Sequence, residues 1–95
     1  MPEEVRRAAD LLERRFALSI LYAAVVADAV RFNEFRQALG PVPPRTLAAR
    51  LSELAEAGVL ERRVVSSRPP AVEYRVTKRG RELATVVEAL LRPSA

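Results

Sequence analysis

Residues 31–80, RFNEFRQALGPVPPRTLAARLSELAEAGVLERRVVSSRPPAVEYRVTKRG, decide the fold. Val30 to Phe32 reads as a short extended piece, after which Asn33 caps a helix Glu34 to Leu39 that Gly40 ends. Pro44 suits the first position of the next helix, because its missing N–H would be unpaired there anyway, and the helix runs to Gly58. Leu47, Leu51, Leu54 and Ala55 fall on one stripe, which faces the core. Val59 to Ser66 and Ala71 to Thr77 are Val-rich strands, separated by a turn of Ser66, Ser67, Arg68, Pro69 and Pro70. In the second strand Val72, Tyr74 and Val76 share a face, so Tyr74 belongs to the core. Helix, turn, helix and basic hairpin, in that order, are the parts with which a small domain lays one helix in a DNA major groove and a wing beside it.

The flanks complete one domain over residues 1–95. Upstream, a first helix spans Glu3 to about Arg14 with Val5, Ala8, Ala9, Leu11 and Leu12 on its apolar side, and a second spans about Arg15 to Ala27, where Asp28 closes it. Downstream, Thr77 caps a last helix from Lys78 to about Leu91, leaving Arg92 to Ala95 as a tail. The expected fold class is mainly α with a small β-hairpin (α+β), a winged helix-turn-helix: residues 31–58 form the helix-turn-helix, 59–77 the wing, and 3–14 with 78–91 the dimerisation helices. A domain of this size cannot bury the stripe Leu83, Val86, Val87, Leu90 and Leu91 together with Val5, Ala8 and Leu12 internally. A homodimer through those two helices would bury both and set two reading helices roughly 34 Å apart, one DNA turn.

Composition removes several function classes. The chain has 95 residues, no Cys and no His, so disulfides, thiolate zinc sites, thiol redox sensing and the usual nucleophilic triads cannot be assembled. No acid–base pair or phosphate loop stands out either, and the expectation is a protein that is not an enzyme and needs no cofactor or metal. The longest apolar stretch, Phe16 to Ala27, is broken by Ser19 and falls short of the roughly 18–20 residues that span a bilayer. Glu3 and Glu4 precede Arg6, the wrong charge order for an export signal, which places the protein in the cytoplasm and away from membranes.

The net charge of +4 is modest, but its location is informative. Residues 1–40 carry six Arg against six acids, residues 41–82 nine Lys plus Arg against five Glu, and residues 83–95 one of each. The whole excess therefore lies on the proposed reading helix and hairpin. A basic balance confined in this way reads as an electrostatic footprint for the phosphates of double-stranded DNA. Pro44, Arg45, Thr46, Ala49 and Arg50 are the candidates for the groove: Arg can donate two hydrogen bonds to guanine O6 and N7, while Thr and Ala methyls suit thymine. Arg68, with Ser66 and Ser67 at the turn, is placed for a minor groove or a phosphate. Arg62 and Arg63 either add phosphate contacts or pair with Glu61 or Glu73. The competing reading is a winged-helix module that docks a protein partner; no residue set demands a small-molecule effector.

RFNEF (31–35), the P-R-T-L-x-x-R-L-x-E-L run (44–54), A-G-V-L-x-R (57–62), P-P-x-V-E-Y (69–74) and T-x-x-G (77–80), in this order and spacing, resemble the HxlR family of winged helix-turn-helix regulators, relatives of MarR. The resemblance implies a prokaryotic homodimeric transcription factor with roughly palindromic operators, its reading positions on Pro44, Arg45, Thr46, Ala49 and Arg50 and its wing on Ser66 to Pro70. Many such relatives sense oxidants or electrophiles through an N-terminal Cys, and many have Trp where Phe16 stands. Pro43 occupies the place of a usual Ser cap, so the first N–H groups of the reading helix lack that partner.

Overall fold

The computed structural model describes residues 2–91, apart from the side chains of Val87, Leu90 and Leu91. Those three expected interface residues, and the expected tail 92–95, lie outside the described residues. The element order is α1 (Glu3–Glu13), α2 (Ala17–Val26), α3 (Phe32–Leu39), α4 (Pro44–Glu56), β1 (Leu60–Ser67), β2 (Pro70–Val76) and α5 (Lys78–Leu91).

α2 is apolar on almost every side and becomes the hub, touching α1, α3, α4, α5 and β2. Ile20 and Leu21 from α2 are fully buried with Phe35 of α3, Leu47, Leu51 and Leu54 of α4, and Leu60 of β1. At about 25 cal/mol per Å² of apolar surface removed from water, this shared cluster is the main stabilising term. α2 starts later than its hydropathy predicts, at Ala17, because Phe16 takes a left-handed conformation (φ 73°) that separates it from α1. Asp28 ends it in the left-handed region (φ 53°), and the next N–H, of Ala29, donates to Ala23 O at 3.1 Å.

The start of α3 differs from expectation. Asn33 is not its cap; the helix begins at Phe32 with Arg31 in the capping position. The reason is Glu34, whose Oε1 accepts from the N–H of Val30 and of Arg31, each at 2.9 Å, satisfying donors one turn earlier than an Asn33 cap would. The carbonyl of Val30 in turn accepts from the Tyr74 N–H at 2.7 Å, which ties this joint to the edge of β2.

β1 and β2 form an antiparallel pair with Leu60 opposite Val76, Arg62 opposite Tyr74 and Ser67 opposite Pro70, and with a bulge between Val64 and Ser66. The connection is shorter than the five-residue turn expected: only Arg68 and Pro69 lie outside the strands. Ser66, Ser67 and Pro70 belong to the ladder, and Pro70 is tolerated there as the first residue of its strand. Tyr74 and Val76 pack against the core as expected.

Candidate nucleic-acid interface

α4 is set by three buried leucines on one side and by its two ends. Pro43 at its N-cap supplies no side-chain bond, and Pro44 occupies the first turn. At its other end Gly58 takes φ 78°, where a side chain would be strained, so that the Gly58 N–H reaches Ala55 O at 3.1 Å and the Val59 N–H reaches Leu54 O at 3.0 Å. The chain thus leaves α4 directly into the hairpin.

This anchoring exposes Pro44, Arg45 and Ala49, with Thr46 half-buried beside them. Neither Arg45 nor the wing residues Arg62 and Arg68 has an ion pair or side-chain hydrogen bond among the described residues; all three are exposed. Ser67 is exposed and Ser66 half-buried, both within β1.

Two other candidates are held by the protein itself. Arg50 turns inward: its side chain is 18% exposed, Nε donates to Arg15 O at 3.0 Å, and a terminal nitrogen meets Glu53 Oε1 at 2.9 Å. Its Nε is thus aimed at the joint between α1 and α2 and its terminal nitrogen at a carboxylate of its own helix. Arg63 bonds to Glu61 along its own strand, a pairing that pulls the Glu61 carboxyl below its ordinary range and raises the guanidinium of Arg63, in each case chiefly through that hydrogen bond. Arg75 is likewise paired with Glu73 at 2.9 Å, and Arg31 approaches the same carboxylate at 3.9 Å. After these pairs, Arg45, Arg62, Arg68, Lys78, Arg79 and Arg81 remain without an ion pair among the described residues, against Glu56 and Glu82. Internal pairing therefore leaves the basic excess of residues 41–82 intact.

On the helices expected to mediate dimerisation, Val5 is 51% exposed, Val86 58%, and Ala8 is exposed, while Leu12 and Leu83 are half-buried. Ala8, Leu12, Leu83 and Val86 line a groove of about 310 Å³ between α1 and α5. Sequence reasoning missed the network of Arg14, Arg50 and Glu53: Arg14 Nε stands 3.5 Å from Glu53 Oε2, across a sequence separation that no local pattern encodes.

Among the described residues, five helices with a helix-turn-helix at their centre and an antiparallel hairpin after it define a winged helix-turn-helix protein. The chain belongs to the HxlR-like helix-turn-helix family, whose pattern matches residues 11–93. An HTH-type transcriptional regulator of Mycobacterium tuberculosis, Rv3095, is 38% identical over 94% of this chain and 55% of its own length. The chain thus spans just over half of that relative. YvaP of Bacillus subtilis, also named an HTH-type transcriptional regulator, is 33% identical over 85% of this chain and 74% of its own. The reduced form of the transcriptional regulator YodB from B. subtilis superposes with a TM-score of 0.78 at 30% identity, covering 95% of this chain and 87% of that one. These relatives are named as regulators, which are not an enzyme class, and among the described residues no helix is long and apolar enough to cross a membrane.

Proposed function

We propose that this chain is a sequence-specific transcriptional regulator that binds a roughly palindromic operator as a homodimer, working on DNA in the cytoplasm. The observation that carries this reading is the exposed N-terminal turn of α4, with Arg45 free of partners among the described residues, followed in the chain by a hairpin whose Arg62 and Arg68 are free in the same sense. Arg45, with Thr46 and Ala49, reads base edges; Arg62 and Arg68 meet phosphates or a minor groove. The uncapped N–H groups behind Pro44 suit a backbone phosphate at the helix N-terminus. Val5, Ala8, Leu12, Leu83 and Val86 supply the contact with the second copy.

The test is fluorescence anisotropy of a labelled duplex from upstream of its own gene, beside a shuffled duplex, at two salt concentrations. A preference of about a thousandfold or more for the first duplex, with a steep fall in affinity as salt rises, is expected. Equal affinity for both duplexes would remove sequence specificity. Absence of binding at low salt would replace the proposal with a protein-docking role for the same surface.

A further inference from the structure

α1 joins the rest of the domain through a short joint, residues 14–16, and has no buried residue to hold its angle. It rests on α2, with Leu11 against the core. Between α1 and α4 lies a cleft of about 590 Å³ lined mostly by charged residues, among them Glu4, Arg7 and Asp10 of α1 and Glu53 and Glu56 of α4. Among the described residues, two side-chain ties run from the joint to α4. Arg50 Nε donates to Arg15 O at 3.0 Å, and Arg14 Nε stands 3.5 Å from Glu53 Oε2. The Glu53 carboxylate is thereby shared: Oε1 takes Arg50 at 2.9 Å, while Oε2, shut off from solvent and without a hydrogen bond among the described residues, faces Arg14. An exposed ion pair contributes little by itself. This one holds an element that has no buried side chain of its own, and it answers a carboxylate oxygen that water does not reach.

We propose that Arg14 and Glu53 are positioning residues for DNA recognition: their pair fixes the angle between α1 and the body that carries α4, and with it the half-site spacing that two copies read. The spacing role rests on the proposed homodimer through α1 and α5; the clamp itself does not. α5 is fastened to the end of α4, where Thr77 Oγ1 bonds to Gly58 O and to the Gly80 N–H. The part of the contact left to shift is therefore α1, whose angle sets the groove that the second copy fills. A twofold axis converts a change of that angle into equal rotations of both bodies. Two reading helices about 34 Å apart each lie roughly 17 Å from the axis, so a rotation of about 10° moves each by about 3 Å, close to the ~3.4 Å rise of one base pair. Holding α1 at one angle thus selects one spacing, and releasing it lets neighbouring spacings bind alike.

The chain has no Cys, so spin labels can be placed without background, at Arg6→Cys on α1 and Ser52→Cys on α4, both exposed. Labelled chain diluted with unlabelled chain reports the distance between the two helices. One narrow distance is expected in the parent, and a distribution at least about twice as wide in Arg14→Ala and in Glu53→Gln, which keeps an acceptor for Arg50. Arg14→Lys should restore the narrow form, because the contact is a single nitrogen at ion-pair distance. Unchanged width in both variants overturns the clamp, whatever the chain binds. Anisotropy on duplexes whose half-sites are moved together or apart by one or two base pairs then tests the consequence. The parent should prefer one spacing by about tenfold or more and the two variants by less than about threefold, with affinity for a single half-site within about twofold of the parent. Spacing preference retained beside wider distances overturns the link to spacing, and an equal loss on the half-site reduces the pair to support of α4. A parent chain that binds no duplex, with the widths changed as expected, overturns the regulator reading and the spacing role and leaves the clamp standing.

Discussion

Arg45 and Arg50 sit five residues apart on one helix and have opposite employment. Arg50 bridges α4 to the carbonyl of Arg15 and also bonds Glu53 of its own helix, whose second oxygen, Oε2, is shut off from solvent and accepts no hydrogen bond among the described residues. Replacing Arg50 by Ala strips a half-buried carboxylate of its nearest cation, so Arg50→Ala should destabilise the fold by about 1–2 kcal/mol in urea unfolding, and Lys should restore only part of this because it lacks the planar fork. Arg45→Ala should leave that unfolding curve unchanged and abolish discrimination between operator and mutant duplexes; equal loss on all sequences would move Arg45 to a phosphate contact. A helical wheel places both arginines off the buried stripe. What separates them is a partner 35 residues away, which only the folded chain brings near. Glu34 shows the converse, a local bond pattern that competes with an Asn33 cap. Its carboxyl is held below the ordinary range, first by the Val30 N–H and then by the Arg31 N–H. A lowered carboxylate pKa contributes stability that is complete above the unfolded-state value and is lost as pH falls through the folded-state value. Glu34→Gln should therefore flatten the fall in Tm that the parent chain shows between about pH 6 and pH 3.

At the scale of elements, the boundaries that were legible are those fixed by backbone chemistry: Gly40, Pro44 and Gly58 bracket α3 and α4 close to their observed ends. The hairpin tip was less legible, since two prolines and two serines suggest a wide turn, while the bulge after Val64 and the pairing of Ser67 with Pro70 draw the strands almost together. The T-x-x-G motif gains its meaning only in three dimensions. Thr77 Oγ1 donates to Gly58 O at 2.6 Å and accepts from the Gly80 N–H at 3.1 Å, which fastens the start of α5 to the end of α4. Gly80 is buried there, and a Cβ on it would stand 2.3 Å from Val59 O and 2.7 Å from a Val76 methyl. Gly80→Ala, normally favourable within a helix, should here cost about 1–3 kcal/mol through overpacking, seen as a lower urea midpoint. An unchanged midpoint would mean that α5 can lift from the hairpin at little cost.

For the whole molecule, self-association is the property on which the proposed geometry of DNA recognition depends. α1 contributes no buried residue, and its Val5 and Ala8 remain open to solvent together with Val86 of α5, so an apolar surface running over two helices has no cover among the described residues. This was legible as an excess of apolar stripe over available core, whereas the groove between the helices emerged only from their packing. In the proposed dimer the surface meets itself across a twofold axis, so one carboxylate introduced per chain appears twice at the interface and is desolvated there. Val86→Asp should convert the proposed dimer to a folded monomer in sedimentation velocity, because Val86 is mostly exposed within its own chain and contributes little to the core. The monomer keeps one reading helix and one hairpin. Its affinity for the full operator should fall by several orders of magnitude, and the slope of log affinity against log salt should drop to about half as phosphate contacts are halved. A Val86→Asp chain that still sediments as a dimer and keeps the full salt slope would place the interface on a different face.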